Sequence, residues 1–269
     1  MSRITEQLIA AKQRGGGFVP FVTAGDPDPE TSLSLILKLA ELGADVIELG
    51  VPFSDPMADG PTIQRSSQRA LDRGTTLHDV LALAGEFRKR SDVPIVLFSY
   101  FNPILRFGVD KFSAAASGAG IDGVLLTDVI ENEAKTLSDS FAGNGIDLIS
   151  LIAPTTTDER LDVICRNARG FIYAVSRAGV TGAQETTSSQ AEELVRQAKQ
   201  LTDLPVAVGF GISTAKQIQD VWRYADAAVV GSAIVAKIEK AGSPGDAVLE
   251  VERFVRQLLP QFAKKACEN

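Results

Sequence analysis

Glu48 and Asp59 are the residues whose types and spacing best fit chemistry. Glu48 stands inside an apolar run, Asp45-Val-Ile-Glu-Leu-Gly50, whose Val, Ile and Leu suit a strand covered on both faces. An ionised carboxylate in such a strand is costly unless it is paired or used. A loop dense in Pro, Gly and Asp follows, carrying Asp55 and Asp59, and a helical pattern resumes at Thr62. One carboxylate at the end of a buried strand and another on the next loop make a pair suited to acid–base work. A bland reading stands beside it: Glu48 as a paired core acid, Asp55 and Asp59 as turn and capping residues.

Short β-rich runs alternating with longer helical patterns must hold these residues in place. Strands are expected at Phe18–Thr23, Asp45–Gly50, Pro94–Tyr100, Gly123–Thr127, Leu148–Ile152, Gly170–Ser176, Pro205–Gly209 and Ala227–Gly231. Helical patterns fall at Leu33–Leu42, Leu77–Lys89, Lys111–Ser117, Glu131–Phe141, Asp158–Arg169, Ser188–Leu201 and Ala215–Arg223, with a last one from about Pro244 to Phe262. Thr31-Ser-Leu-Ser and Ser213-Thr-Ala-Lys offer N-caps, and Asp28-Pro29-Glu30 places proline and acid where a helix begins. Gly43 and Gly143 follow helices and permit left-handed C-caps. Repeated strand–helix units mean a parallel sheet. Eight of them predict an α/β fold, a single (β/α)8 TIM barrel over residues 1–269, with an extra N-terminal helix and a short helix after strand 8. A doubly wound open sheet is the runner-up, but no G-x-G-x-x-G follows the first strand.

In such a barrel the active site lies at the C-terminal ends of the strands, and the loops after strands 7 and 8 hold phosphate with a short extra helix. Here those loops read Gly209-Phe-Gly211-Ile-Ser213 and Gly231-Ser232, and Ala233–Lys240 supplies the short helix. Glycines let backbone N–H groups approach an anion, and Ser232 adds a hydroxyl donor. Each glycine taken alone is also an ordinary turn residue. The loop after strand 6, Ser176-Arg-Ala-Gly-Val-Thr181-Gly182 onward, reads either as a surface loop or as a lid over a phosphorylated substrate, with Thr181 and Gly182 as contacts. Phe21, Phe98, Leu125, Tyr173 and Phe210 would line an apolar mouth, although periodicity alone makes each a core residue. Two acids, an apolar mouth and an anion seat together call for a substrate with an apolar ring and a phosphate tail.

Composition removes several classes. The chain is 45% hydrophobic with a formal charge of −7, which argues against a nucleic-acid backbone as main partner. It has no apolar run of about 18 residues or more. The start, Met1-Ser-Arg-Ile-Thr-Glu, lacks a signal-peptide core, and two distant cysteines, Cys165 and Cys267, fit a reducing cytoplasm. With one histidine, His78, expected on the surface near a helix start, neither a zinc site nor a Ser-His-Asp triad is expected.

The stretches Pro20-Phe-Val-Thr-Ala-Gly-Asp-Pro27, Glu48–Gln64, Ser176–Gly182, Gly209–Ser213 and Gly231–Val235 resemble the signatures of the tryptophan synthase alpha subunit family, over essentially the whole chain. The resemblance implies retro-aldol cleavage of indole-3-glycerol phosphate to indole and glyceraldehyde 3-phosphate. By residue it implies Glu48 as general acid–base and Asp59 as the carboxylate facing the indole N–H. Phe21, Leu125, Tyr173 and Phe210 then line the pocket, Thr181 orders the nearby acid on closure, and Gly182, Gly211, Gly231 and Ser232 seat the phosphate. No metal, Schiff-base lysine or organic cofactor is expected in this chain. Pyridoxal phosphate is expected only in a beta subunit, in an alpha2-beta2 assembly that passes indole internally, with Pro52, Phe53 and Asp55 at the interface. The chain departs from the pattern at Ile130, where many members carry proline, and at Phe98, where a smaller aliphatic occurs. The rival readings are a sugar-phosphate isomerase, a non-catalytic activating subunit and a free-standing indole producer.

Overall fold

The expected alternation closes into a barrel in the computed structural model, which describes residues 1–129, 131–175, 187–209 and 211–259, and only the backbone at 131, 132, 187 and 188. The strands are β1 Gly17–Thr23, β2 Ile47–Gly50, β3 Ile95–Ser99, β4 Gly123–Leu126, β5 Asp147–Ile152, β6 Ile172–Val175, β7 Val206–Gly209 and β8 Ala227–Val230. They pair in parallel in chain order, and β8 closes on β1. The helices are α1 Arg3–Gln13, α2 Pro29–Glu41, α3 Pro61–Asp72, α4 Leu77–Arg88, α5 Phe101–Phe107 and α6 Val109–Gly118. Then follow α7 Glu131–Ala142, α8 Asp158–Asn167, α9 Thr187–Leu201, α10 Ala215–Tyr224, α11 Ser232–Lys240 and α12 Pro244–Leu258. Among the described residues no helix is long and apolar enough to cross a membrane.

The helical pattern expected from Thr62 is α3, which buries Ser66, Ser67 and Ala70 and so packs through small side chains. One helix, α5, escapes the periodicity. α5 has seven residues, too few for a period to appear, with Pro103 in its first turn where proline is tolerated. Local capping also differs from expectation. Asp28, not Thr31, caps α2: its carboxylate accepts from the Thr31 N–H at 2.8 Å, because Pro29 has already begun the helix. Thr214 and Gln217 form the reciprocal cap of α10, as the Ser213-Thr-Ala-Lys stretch implies. Gly43 does take the left-handed conformation after α2, at φ 94°. After α7 that role falls to Gly145, at φ 75°, and not to Gly143, because the turn runs two residues further before reversing.

One apolar cluster lies between barrel and helices, and a second fills the barrel itself with Val19, Val46, Val96, Leu125, Ile149 and Phe171. α1 closes the bottom of that second cluster with Ile4 and Leu8, both fully buried. Glycine at the strand starts makes the room. A Cβ on Gly17 would lie 2.9 Å from the Ala227 methyl, and one on Gly123 2.8 Å from Ile4 Cδ1. The same end is pinned by aspartates that precede even-numbered strands. Asp45, Asp122 and Asp226 accept from the N–H groups of Phe18, Ile95 and Val206 at 2.8–2.9 Å. Each also meets a cation: Arg14, Arg88 or Lys199.

The opposite end is clamped by charge. Arg69 on α3 donates two parallel bonds of 2.8 Å to Asp26, in the loop after β1, whose side chain is fully buried. It donates a third, of 3.0 Å, to Glu239 on α11, which Arg65 also grips in a fork at 2.6 and 2.8 Å. Arg65 first, then Arg69, holds the Glu239 carboxyl down at about 2. Arg69→Ala leaves Asp26 buried without its cation, so the variant is expected to lose about 3 kcal/mol of stability. Urea denaturation reads this directly. A loss below about 1 kcal/mol, the level of an exposed pair, would show that the bond does not hold the fold.

Candidate active site

β2 places Glu48 in register with Phe21 of β1 and Val96 of β3, with its side chain turned into the barrel mouth. The residue is 1% exposed, and its Oε1 has no hydrogen-bond partner among the described residues. A paired core acid would have one, so the bland reading of Glu48 fails on this atom. Burial alone pushes its pKa from 4.5 up to about 8. At neutral pH Glu48 is therefore a neutral acid with a proton to give. Tyr173, beside it, is pushed well above 10 by burial first and by the Glu48 charge second, so its hydroxyl stays protonated.

Asp59 sits two residues before α3, on the loop leaving β2. That loop is pinned at several points. The Ala58 N–H donates to the Tyr100 hydroxyl at 2.9 Å, Gln64 donates to the Asp59 carbonyl at 2.9 Å, and the Phe53 ring lies 5.0 Å from that of Tyr100. Burial raises the Asp59 pKa to about 6, with the Tyr100 hydroxyl pulling the other way. Asp59 is thus mostly ionised at neutral pH while Glu48 keeps its proton. Two carboxyl groups with opposed protonation states are what acid catalysis beside a developing cation requires.

Both acids line one cavity of about 600 Å³ at the C-terminal ends of the strands. Phe21, Phe98, Leu151, Tyr173, Val175 and Val229 form apolar walls, and Phe21 meets Phe98 edge-on at 5.4 Å. Gly211, Gly231 and Ser232 line the same cavity. Gly231 is the N-cap of α11 with no side-chain cap, so the first N–H groups of α11 are left for an anion. Gly211 has φ 77°, which a side chain would strain. At Gly209 a Cβ would run into the Tyr173 hydroxyl, so glycine there lets that ring cross the mouth.

The unusual state of Glu48 also marks stability. A neutral acid is favoured by the fold, so its contribution is complete below 4.5 and is lost as pH rises through about 8. The loss runs at about 1.4 kcal/mol per pH unit across that window. Glu48→Gln keeps the shape and has no charge to bury. The variant is expected to match wild type at pH 4.5 and to exceed it by several kcal/mol at pH 9, read by urea denaturation at both. Parallel pH profiles for the two proteins would mean that Glu48 ionises freely in the folded state.

Residues 8–263 match the family model described as tryptophan synthase alpha chain. The chain belongs to the tryptophan synthase alpha chain family. A tryptophan synthase alpha chain from Solibacter usitatus is 45% identical over 267 residues, covering 99% of this chain and all of the relative. Tryptophan synthase subunit alpha from Legionella pneumophila superposes with a TM-score of 0.88 at 36% identity, over 98% of this chain and 99% of the other. A chain from the aminoacrylate-bound tryptophan synthase of M. tuberculosis gives a TM-score of 0.85 at 32% identity, over 96% and 98%.

Of the residues that the alpha-chain resemblance singles out, Glu48, Asp59, Phe21, Tyr173, Gly211, Gly231 and Ser232 come together around the cavity. Leu125 does not line it: fully buried, it sits in the cluster filling the barrel beneath. Thr181, Gly182 and Phe210 lie outside the described residues, as do Ile130 and Cys267. Pro52 is buried, Phe53 half-buried, and Asp55 exposed with the Ser54 hydroxyl donating to it at 2.6 Å. Asp55 therefore stands apart from the acid pair. His78 is exposed at the head of α4, its ring 4.6 Å from that of Phe107. Sequence reading missed Tyr100, Thr127, Leu151 and Val175. All four lie within one residue of the C-terminal ends of β3 to β6, so position along the strand was the available signal.

Proposed function

We propose that this chain, folded as one barrel domain, cleaves indole-3-glycerol phosphate to indole and glyceraldehyde 3-phosphate. The observation that carries the reading is a buried Glu48, its Oε1 without a hydrogen-bond partner among the described residues, in the same cavity as Asp59 and the open N-terminus of α11. Neutral Glu48 protonates C3 of the indole, giving an indoleninium cation. Ionised Asp59, facing the ring nitrogen, stabilises that charge. The bond from C3 to the carbinol carbon then breaks, and its electrons return the ring to neutral indole. The carbinol hydroxyl gives its proton to the Glu48 carboxylate as the aldehyde forms, which restores the neutral acid. Gly211, Gly231 and Ser232, with Gly182, seat the phosphate. Phe21, Tyr173 and Phe210 hold the ring, and Thr181 orders Asp59 as the strand-6 loop closes. Every step is a proton transfer or a bond cleavage within the substrate and needs no organic cofactor in this chain.

The tryptophan synthase likeness further supports a beta subunit carrying pyridoxal phosphate as partner, in an alpha2-beta2 assembly in the cytoplasm, with indole passed between sites. Pro52, Phe53 and Asp55 are the proposed contacts. Asp55→Ala is expected to weaken capture of a cognate beta subunit and its activation of the chain; equal capture and equal activation would remove Asp55 from the interface. The whole reading is tested by release of glyceraldehyde 3-phosphate with and without that partner. Weak turnover alone and a large rise with the partner are expected. Fast turnover indifferent to the partner would instead mark a free-standing indole producer, and none in either condition would overturn the activity.

A further inference from the structure

The ion pairs between α3 and α11 join the two halves of the site. α11 begins at Ser232, in the cavity wall, and carries Glu239 two turns later. α3 begins two residues after Asp59 and carries Arg65 and Arg69 one and two turns in. Among the described residues the Glu239 carboxylate bonds to those arginines: Oε1 accepts from Arg65 and Arg69, Oε2 from Arg65. Arg69 is anchored in turn on the fully buried carboxylate of Asp26. A helix moves as a rod, so a displacement at the head of α11 arrives at Glu239 and passes to α3. An anion at the head of α11 meets free N–H groups and the positive end of the helix dipole, and is drawn along the axis.

We propose that the Arg65–Glu239–Arg69–Asp26 chain couples filling of the phosphate seat to the placement of Asp59, so that the phosphate acts on the chemistry as well as on binding. The proposal rests on the activity proposed above. In it the four residues are positioning residues: none touches the reacting atoms. Binding energy from a remote, unreactive group is thereby spent at the reacting centre.

The test splits the substrate. Full-length chain with the beta partner present is given indole-3-glycerol, which lacks the phosphate, with and without phosphite dianion. Phosphite is expected to raise wild-type kcat/KM for the truncated substrate by about tenfold or more. Glu239→Gln is expected to cleave the truncated substrate unassisted within about twofold of wild type, and to lose most of the phosphite acceleration. On the intact substrate its loss should fall on kcat and not on KM alone, as expected for an interaction realised in the transition state. Arg65→Gln, which removes one exposed arm, should lose part of the acceleration, and a thermal melt of each variant confirms folding. A wild-type acceleration kept by Glu239→Gln overturns the coupling, as does a wild type that phosphite does not accelerate. Equal losses with and without phosphite would mark a purely structural clamp and also overturn it. Failure of the parent reading looks different: wild type then leaves intact indole-3-glycerol phosphate uncut.

Discussion

Glu48→Gln is expected to lower kcat for indole-3-glycerol phosphate cleavage by about 10³-fold while leaving substrate affinity within a few-fold of wild type. That is about 4 kcal/mol of barrier. Gln fills the same space beside Phe21 and Val96, and it can still donate a hydrogen bond, but it cannot give up a proton. A burial-raised pKa of about 8 would serve no purpose in a core residue, whereas a proton donor at neutral pH needs it. Single-turnover indole release and a binding titration with a non-cleavable phosphate analogue separate the two effects. A variant with turnover near wild type would exclude Glu48 as the acid, and one that had lost binding alone would make it a pocket wall.

Asp59→Asn should produce the second largest loss, about 10²-fold in kcat/KM, because a neutral amide cannot balance the indoleninium charge. The pH dependence identifies the group. In the proposed mechanism wild-type kcat/KM depends on protonated Glu48 and ionised Asp59. It therefore falls as pH drops through about 6 and again as pH rises through about 8. In the Asn variant the acid limb disappears, because its titrating group is gone, and the alkaline limb stays near 8. An acid limb that persists in the variant would assign it to another group and leave Asp59 a structural role. An unaltered kcat/KM would remove it from the chemistry altogether.

Much of the site was legible because barrel topology converts sequence position into spatial position. Once eight strand–helix units are counted, a residue at the C-terminal end of any strand faces the mouth, wherever it falls in the chain. That is why Glu48 on β2, Gly211 after β7 and Ser232 after β8 could be placed together although up to 184 positions separate them. Leu125 shows the limit of the rule. It stands one position short of the end of β4 yet belongs to the barrel filling, whereas Glu48, two short of the end of β2, lines the mouth; the depth of each layer depends on strand stagger, which no local pattern records.

The sequence by itself determined the fold class, the strand order and the acid pair, since alternation, strand-end position and residue type are local facts. Tertiary structure alone decided three others. It left Glu48 Oε1 without a partner among the described residues and buried the side chain, and so made it an acid of about 8 instead of a core carboxylate, because desolvation depends on every neighbour that excludes water. It set Tyr100 against the Asp59 loop, since that contact spans 42 residues. And it brought Arg65 and Arg69 onto Glu239, a meeting of residues 170 or more positions apart that only barrel closure between β8 and β1 allows.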